Sequence, residues 1–292
     1  MTGLSICIPV YNFNCINSVK ILIEQIQKLY LKAEILVIDD ASTIKLNNLA
    51  SFKNQNYTYE RLAINIGRAK IRNLLVKKAK FNYILFIDGD SGIPKNFIEN
   101  YVPIIKKQPD TIICGGRIHF KPLIRKKKLR YNYGTKFEEK LSLIRNQRPY
   151  HSFMTNNFVS PKRILEKTPF NEELTKYGHE DTFFGYDLKK NNVNIIHMDN
   201  PIIHLDIDTN KEYIKKIKCS IENLILLKSK CPEFVEHSKL LTLITNYSIL
   251  RLKATKKSSN FLSKFFEIIT KQTSSTYSFQ LFKLFYTISF YK

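Results

Sequence analysis

The stretch Phe81 to Asp90, FNYILFIDGD, limits what this chain can fold into more than any other. Tyr83 to Ile87 is an apolar, β-rich run of the kind that forms a buried strand, and it stops at two carboxylates one residue apart, Asp88 and Asp90. In an open α/β sheet the carboxyl ends of the strands face a crevice, so acids placed there meet ligand instead of core. Hard oxygens separated by the permissive Gly89 suit Mg²⁺ or Mn²⁺ bound together with the phosphates of a substrate. An Asp-Gly hairpin turn is the plainer alternative, but such a turn leads straight into a second strand. Here Ser91 to Pro94 leads into a helical pattern over Asn96 to Ile105.

The rest of the first half alternates strand and helix. Leu4 to Val10 reads as a strand, Ile16 to Tyr30 carries Val19, Ile23, Ile26 and Leu29 at helical spacing, and Glu34 to Ile38 is a second strand ending in Asp39 and Asp40. A strand around Tyr57 to Arg61 and a helix from Arg68 to Lys78 precede the Phe81 segment. This alternation predicts a doubly wound, parallel sheet with right-handed crossovers. Three strand ends then share one rim: Pro9 to Asn12, Asp39 to Ser42, and Asp88 to Asp90.

With 292 residues the chain can bury a full core, and its net charge of +22 points to nucleic acid, anionic membrane or phosphorylated substrates as partners. The five cysteines, Cys7, Cys15, Cys114, Cys219 and Cys231, lack paired metal-ligand spacing and read as reduced thiols of a cytosolic protein. Leu4 to Val10 is too short and β-branched for a signal peptide, and no run approaches the roughly eighteen apolar residues of a membrane span.

IPVYN at the first strand end, VIDDAS at the second, NIGRAKIRN before the third helix and FIDGD after it resemble, in order and spacing, the family 2 glycosyltransferases with the GT-A fold. The resemblance covers roughly residues 1 to 210. It implies a Rossmann-like mixed sheet flanked by helices, a nucleoside-diphosphate sugar donor, most simply a UDP-sugar, a divalent metal, and inversion at the anomeric carbon. Carried over by position, Pro9, Tyr11 and Asn12 would line the nucleotide pocket, with Tyr11 beside the base. Asp40 would accept from the uracil ring with Asp39 in support, and Arg72 would reach the nucleotide. Asp88 and Gly89 would approach the ribose or a metal-bound water, and Asp90 would ligate the metal together with Asp88 and His204. His204 is equally well read as a packed core residue, as is His197 beside it in the segment NIIHMDNPIIHL.

The second half is expected to hold the acceptor and the base. Lys121 to Arg148 is strongly basic and reads as a solvated loop or a contact for acidic lipid or an anionic acceptor. In HSFMTNNFVS, Thr155, Asn156 and Asn157 resemble acceptor-side residues, although an Asn turn explains them as well. YGHEDTFFGYDL places Glu180 and Asp181 on the first turn of a helix, where the dipole favours anions. Their resemblance to the family's Gly-x-Glu-Asp element implies that Asp181, or failing it Glu180, is the general base.

Beyond Asp206 the resemblance ends. Glu212 to Lys230 and Phe234 to Leu252 show helical apolar faces, the second through Tyr247, and Lys256 to Asn260 reads as a polar break. Phe261 to Ile269 and Tyr277 to Tyr291 are aromatic and basic. They fit helices packed on the catalytic part or on a second subunit, or an interfacial anchor on an anionic membrane. The expected organisation is a nucleotide-sugar half over 1–105, an acceptor and catalytic half over 106–210, and a helical extension over 211–292. The expected function is a cytoplasmic, peripherally membrane-bound transferase of surface-polysaccharide or lipid-linked glycan synthesis. Two alternatives stand beside it: an Asp-x-Asp phosphohydrolase with Asp88 as nucleophile, and a basic nucleic-acid binder, which would leave the strand-end acids unexplained.

Overall fold

β1 (Leu4–Val10) is the strand around which the first part of the molecule is built, because its apolar residues on both faces demand cover on both faces. The computed structural model describes residues 3–174, 177–246 and 256–290. They divide into two compact units: Met1–His119, Glu139–Thr175 and Asp187–Asp206 form the first, and Phe120–Glu138, Lys176–Tyr186 and Ile207–Lys292 the second. Strands from both of the expected halves, 1–105 and 106–210, share the first unit.

In the first unit β1 pairs in parallel with β2 (Ala33–Asp39) on one side and β4 (Tyr83–Ile87) on the other, and β3 (Tyr57–Arg61) extends the sheet beyond β2. β8 (Asn157–Pro161) then runs antiparallel to β4, followed by β6 (Ile112–Cys114) and β9 (Ile195–His197), giving the order β3-β2-β1-β4-β8-β6-β9. The sheet is therefore mixed, as the resemblance implied: the four strands of the first half run parallel, and β8 runs against them. Helices α1 (Ile16–Lys28) and α4 (Phe97–Lys107) cover the face presenting Leu4, Ile6, Ile8, Leu85 and Ile87. The opposite face, with Cys7 and Phe86, meets α3 (Arg68–Lys78), where the Cys7 thiol lies 4.0 Å from the Leu75 carbonyl. Gln25 of α1 donates to the Pro94 carbonyl at 2.8 Å and accepts from the Ile98 amide at 2.9 Å, tying α1 to the start of α4.

A second, three-stranded sheet joins β5 (Ser91–Gly92), β10 (Ile202–His204) and β7 (Arg117–His119) in the order β5-β10-β7. β5 is too short to show in an apolar pattern. It nevertheless fixes the Asp-x-Asp turn, since Leu205 donates its amide to the Asp90 carbonyl at 2.9 Å.

The second unit is helical. α5 (Lys128–Phe137), α9 (Asn210–Lys230) and the last helix, α12 (Thr276–Ile288), enclose Leu129, Tyr213, Ile214, Phe279 and Phe282. Asn210 locks them, accepting from the Leu129 amide at 3.0 Å and donating to the Ser274 hydroxyl at 2.9 Å. A capping box, with Thr209 and Glu212 bonded to each other's backbone amides, starts α9. Three expectations change here. The Lys121 to Arg148 stretch is largely helical, with Arg130 and Arg145 buried. The Phe234 to Leu252 pattern divides into a 3₁₀ turn, Pro232–His237, and α10 (Lys239–Asn246), and its remainder, with Tyr247, lies outside the described residues. Lys256 to Asn260 is no break but the first turns of α11 (Lys256–Thr273). Among the described residues no helix is long and apolar enough to cross a membrane.

Candidate active site

At the end of β4 the chain leaves little room beyond Gly89: a Cβ there would meet Val10 Cγ2 at 3.0 Å and the Pro9 carbonyl oxygen at 3.1 Å, so its neighbours would have to give by a few tenths of an ångström. The close approach of the two strand ends puts Asp88 and Asp90 on one rim. Arg72 of α3, 2% exposed, donates from Nη2 to Asp88 Oδ1 at 2.8 Å and from Nη1 to the Arg68 carbonyl at 3.1 Å. Its guanidinium also lies over the Phe170 ring, 5.8 Å from the centroid. A fork held by the Arg68 carbonyl and the Phe170 ring thus presents a fixed donor to Asp88 Oδ1.

Asp90 Oδ2 is 3.1 Å from His204 Nε2. Burial pushes the Asp90 carboxyl up, but the His204 hydrogen bond and the charges of His204, Arg117 and Arg68 outweigh it and hold the group below the usual carboxylate range. Asp90 is thus ionised. His204 lies opposite His119 in the β7–β10 pairing, and the two rings meet edge to face at 5.2 Å. Glu139 Oε1 accepts from the His119 amide at 2.6 Å and contacts His119 Nδ1 at 2.9 Å. Sequence reasoning missed His119, Glu139, Arg68 and Arg117, because no local spacing connects them to the Asp-x-Asp turn. The signal was the repeated pattern of RIH and IIH, three short strands each ending in histidine, of which β7 and β10 are the two that pair.

An ionised carboxylate oxygen touching an imidazole nitrogen is a donor pair that suits Mn²⁺ or Mg²⁺. Among the described residues no three His, Cys, Asp or Glu side chains converge into a preformed cage. A cation there would have Asp90 and His204 as protein donors and would need further ligands from outside these two side chains.

At the neighbouring strand ends the side chains are already occupied. Asp39 is fully buried: its Oδ1 accepts from the Ser42 amide and hydroxyl at 2.8 and 2.5 Å, and its Oδ2 accepts from the Tyr59 hydroxyl at 2.9 Å. Asp40 accepts from the Ile66 amide at 2.7 Å and the Gly67 amide at 3.0 Å, holding the loop that starts α3. Asn12, expected to line the nucleotide pocket, latches β1 to the β2 loop. Its Oδ1 accepts from the Thr43 amide at 2.7 Å, and its own amide donates to Ser42 Oγ at 2.8 Å. Tyr11 is half exposed at 51%, open to a planar partner, and Pro9 lies partly covered beside Gly89.

The expected acceptor residues separate. Asn157 does not sit in a turn but opens β8. At 1% exposed it accepts from the Tyr101 hydroxyl at 2.6 Å and donates to the Gly116 and Asn200 carbonyls, both at 2.8 Å. Its amide is filled by the core and offers nothing to a sugar. Thr155 is buried, and Asn156 is 4% exposed with both amide atoms lacking a hydrogen-bond partner beside Asp88, whose amide donates to the Asn156 carbonyl at 3.2 Å. His197 is structural, gripped between Arg145 at 2.8 Å and the Pro149 carbonyl at 3.0 Å.

Glu180 and Asp181 belong to the second unit, at the start of α8 (Glu180–Lys190). Gly178, at φ 96°, turns the chain into this helix, and a Cβ there would strike Ser220 Oγ at 2.5 Å. Glu180 is buried, and the half-buried Asp181 accepts from the Thr182 amide at 2.7 Å. Burial drives the preceding His179 imidazole down to about 4, so it is neutral. The first turn of α8 therefore presents two carboxylates at the positive end of a helix dipole.

The sequence profile of the family described as Glycosyl transferase family 2 matches residues 5–170. The chain is 24% identical over 226 residues to Escherichia coli chondroitin synthase, a match covering 64% of this chain and 32% of that protein. It is 26% identical over 219 residues to Pasteurella multocida hyaluronan synthase, covering 64% and 22%. The chain thus spans about a third or less of the length of these two relatives. Among solved structures, S. aureus TarS 1-349 in complex with UDP-GlcNAc superposes with a TM-score of 0.56 at 17% identity, over 98% of this chain and 90% of that one. At that identity the likeness shows the fold, which is that of the GT-A glycosyltransferases. Because the profile runs through more than half of the 292 residues, including all three strand ends of the rim, the chain belongs to glycosyl transferase family 2.

Proposed function

We propose that this chain transfers a sugar, with inversion, from a UDP-sugar to a glycan acceptor in polysaccharide synthesis. The observation that carries the reading is the pairing of ionised Asp90 with His204 beside the clamped Asp88 of the same turn. The TarS fold that holds UDP-GlcNAc and the polysaccharide-synthase names of the relatives support the donor and the pathway class. Asp90 and His204 would hold a divalent cation, with Asp88 on its ribose side. Such an ion supplies charge stabilisation for a departing diphosphate without proton transfer.

The chain's own residues do the remainder. Tyr11 stacks on the base over Pro9. Asp40, with one acceptor site on each oxygen still open after its two backbone bonds, reads the uracil imide N–H, and Asp39 keeps the supporting loop in place. Arg72 orients Asp88. Asp181 takes the proton of the acceptor hydroxyl while that oxygen attacks the anomeric carbon from the face opposite the diphosphate, and Glu180 is the substitute base. Thr155 and Asn156 remain the acceptor-side candidates. The acceptor is a free or lipid-linked glycan at the inner face of a membrane. Neither the phosphohydrolase nor the nucleic-acid reading accounts for the family match.

Thermal shift tests this directly. UDP with Mn²⁺ should stabilise the protein, EDTA should remove the effect, and Asp90→Ala should abolish it. Equal stabilisation of the Asp90→Ala variant would remove the proposed site.

A further inference from the structure

α11 is built inside out. Its buried positions are Ser259, Ser263 and Thr270, at 0%, 4% and 0% exposure, while three of its six large apolar residues, Phe261, Phe265 and Ile268, are 70%, 48% and 56% exposed and Leu262, Phe266 and Ile269 are partly buried. The small inward residues let α12 approach closely: Thr270 Oγ1 lies 2.9 Å from Ser278 Oγ, and the Phe266 and Phe285 rings stack at 5.8 Å. Compare α1, whose outward positions are Asn17, Lys20, Glu24, Gln27 and Lys28. Single exposed apolar side chains are ordinary, but three at i, i+4 and i+7 make a stripe.

The stripe is laced with cations. Lys257, Phe261, Lys264, Ile268 and Lys271 follow one another at spacings of four and three, so they form one exposed ridge in which charge and apolar surface alternate. The helix has a single acid, Glu267, and it is neutralised by Lys218 and Lys271, each at 2.6 Å. A helix with apolar side chains between lysine stems matches the boundary of an anionic bilayer, where the rings enter the acyl layer and the ammonium groups snorkel to phosphates. A second copy of the chain is a poor occupant, because it would set lysine against lysine on a protein already carrying +22. The same unit shows this composition again, in exposed Phe120, Leu123 and Ile124 followed by Arg125 to Lys128.

We infer that the outer face of α11 is a docking surface for membranes rich in anionic phospholipid. The transferase reading supplies only the purpose of this contact, so the two stand or fall separately. The test is co-sedimentation of the full chain with vesicles of phosphatidylcholine, with and without phosphatidylglycerol. The chain should pellet with the anionic vesicles only, and less at high salt. Phe261→Ser with Phe265→Ser and Ile268→Ser should weaken pelleting by about tenfold or more while leaving the melting temperature and the UDP–Mn²⁺ shift unchanged, because the residues removed are exposed. Replacing Lys256, Lys257, Lys264 and Lys271 by Gln should remove the salt dependence. Unaltered pelleting of the triple variant would overturn the inference. So would equal binding to neutral vesicles, or a self-associated species in sedimentation velocity that the triple variant abolishes in the absence of vesicle binding.

Discussion

Two pairs of aspartates end neighbouring regions of one sheet, and the structure treats them in opposite ways. Asp39 and Asp40, after β2, accept from backbone amides and hydroxyls of Ser42, Tyr59, Ile66 and Gly67, and both are nearly sealed from solvent. Asp88 and Asp90, after β4, meet charged or ionisable side chains, Arg72 and His204, and stay partly open. Around Asp39 and Asp40 the donors are mostly backbone amides and hydroxyls, with Arg61 3.7 Å from Asp39, and they hold a loop. Around Asp88 and Asp90 the partners are the side chains of Arg72 and His204, and the second of these helps to hold Asp90 below the usual carboxylate range. In the proposed reading Asp39 only builds the rim, whereas Asp88 and Asp90 work on it and Asp40 does both.

The comparison can be broken in order of effect. Asp181→Asn should lower transfer by about 10²–10⁴-fold with UDP binding intact, measured as kcat against UDP affinity. Normal kcat would return the base role to Glu180. Asp90→Asn should lower transfer by about 10²–10³-fold and weaken UDP–Mn²⁺ binding with little change in melting temperature. Asp39→Ala should behave in the opposite sense, removing about 1–3 kcal/mol of stability in urea unfolding by leaving buried donors without an acceptor. If Asp39→Ala instead lost UDP affinity with unchanged stability, the division between the two pairs would be wrong.

Acid should separate scaffold from site as well. Burial holds the His179 and His197 imidazoles down to about 4, so between roughly pH 6.5 and 4 the unfolded chain binds more protons than the folded one. Stability rises with pH in that window, and the melting temperature should fall as pH drops through it. Asp90, held below the usual range, remains ionised throughout most of the window and adds its own loss only further down. His179→Gln should flatten the slope. The smallest expected effect is Ser42→Ala, about 0.5–1.5 kcal/mol, since it removes one hydroxyl that both donates to Asp39 and accepts from the Asn12 amide.

Much of this was legible before folding was considered. The runs of β-rich residues ending in acids mark β1, β2 and β4, and the helical apolar spacing marks α1, α4 and α9, because these patterns are set by neighbours within one element. The bonding partners of Asn12 and Asn157 were not legible, for the opposite reason. An asparagine looks equally polar whether it faces a sugar or is filled by a tyrosine hydroxyl and two carbonyls. The inversion of α11 was hidden in the same way, since its apolar residues have helical spacing on whichever face they point.

From its letters alone the chain specified a strand-and-acid framework and its membership of a fold family, since strand ends, glycine at a close approach and helix starts are written locally. Packing settled which side chains each acid meets. That depends on donors such as Arg72, 16 residues from Asp88, and His204, 114 residues from Asp90, whose arrival no short window of sequence records.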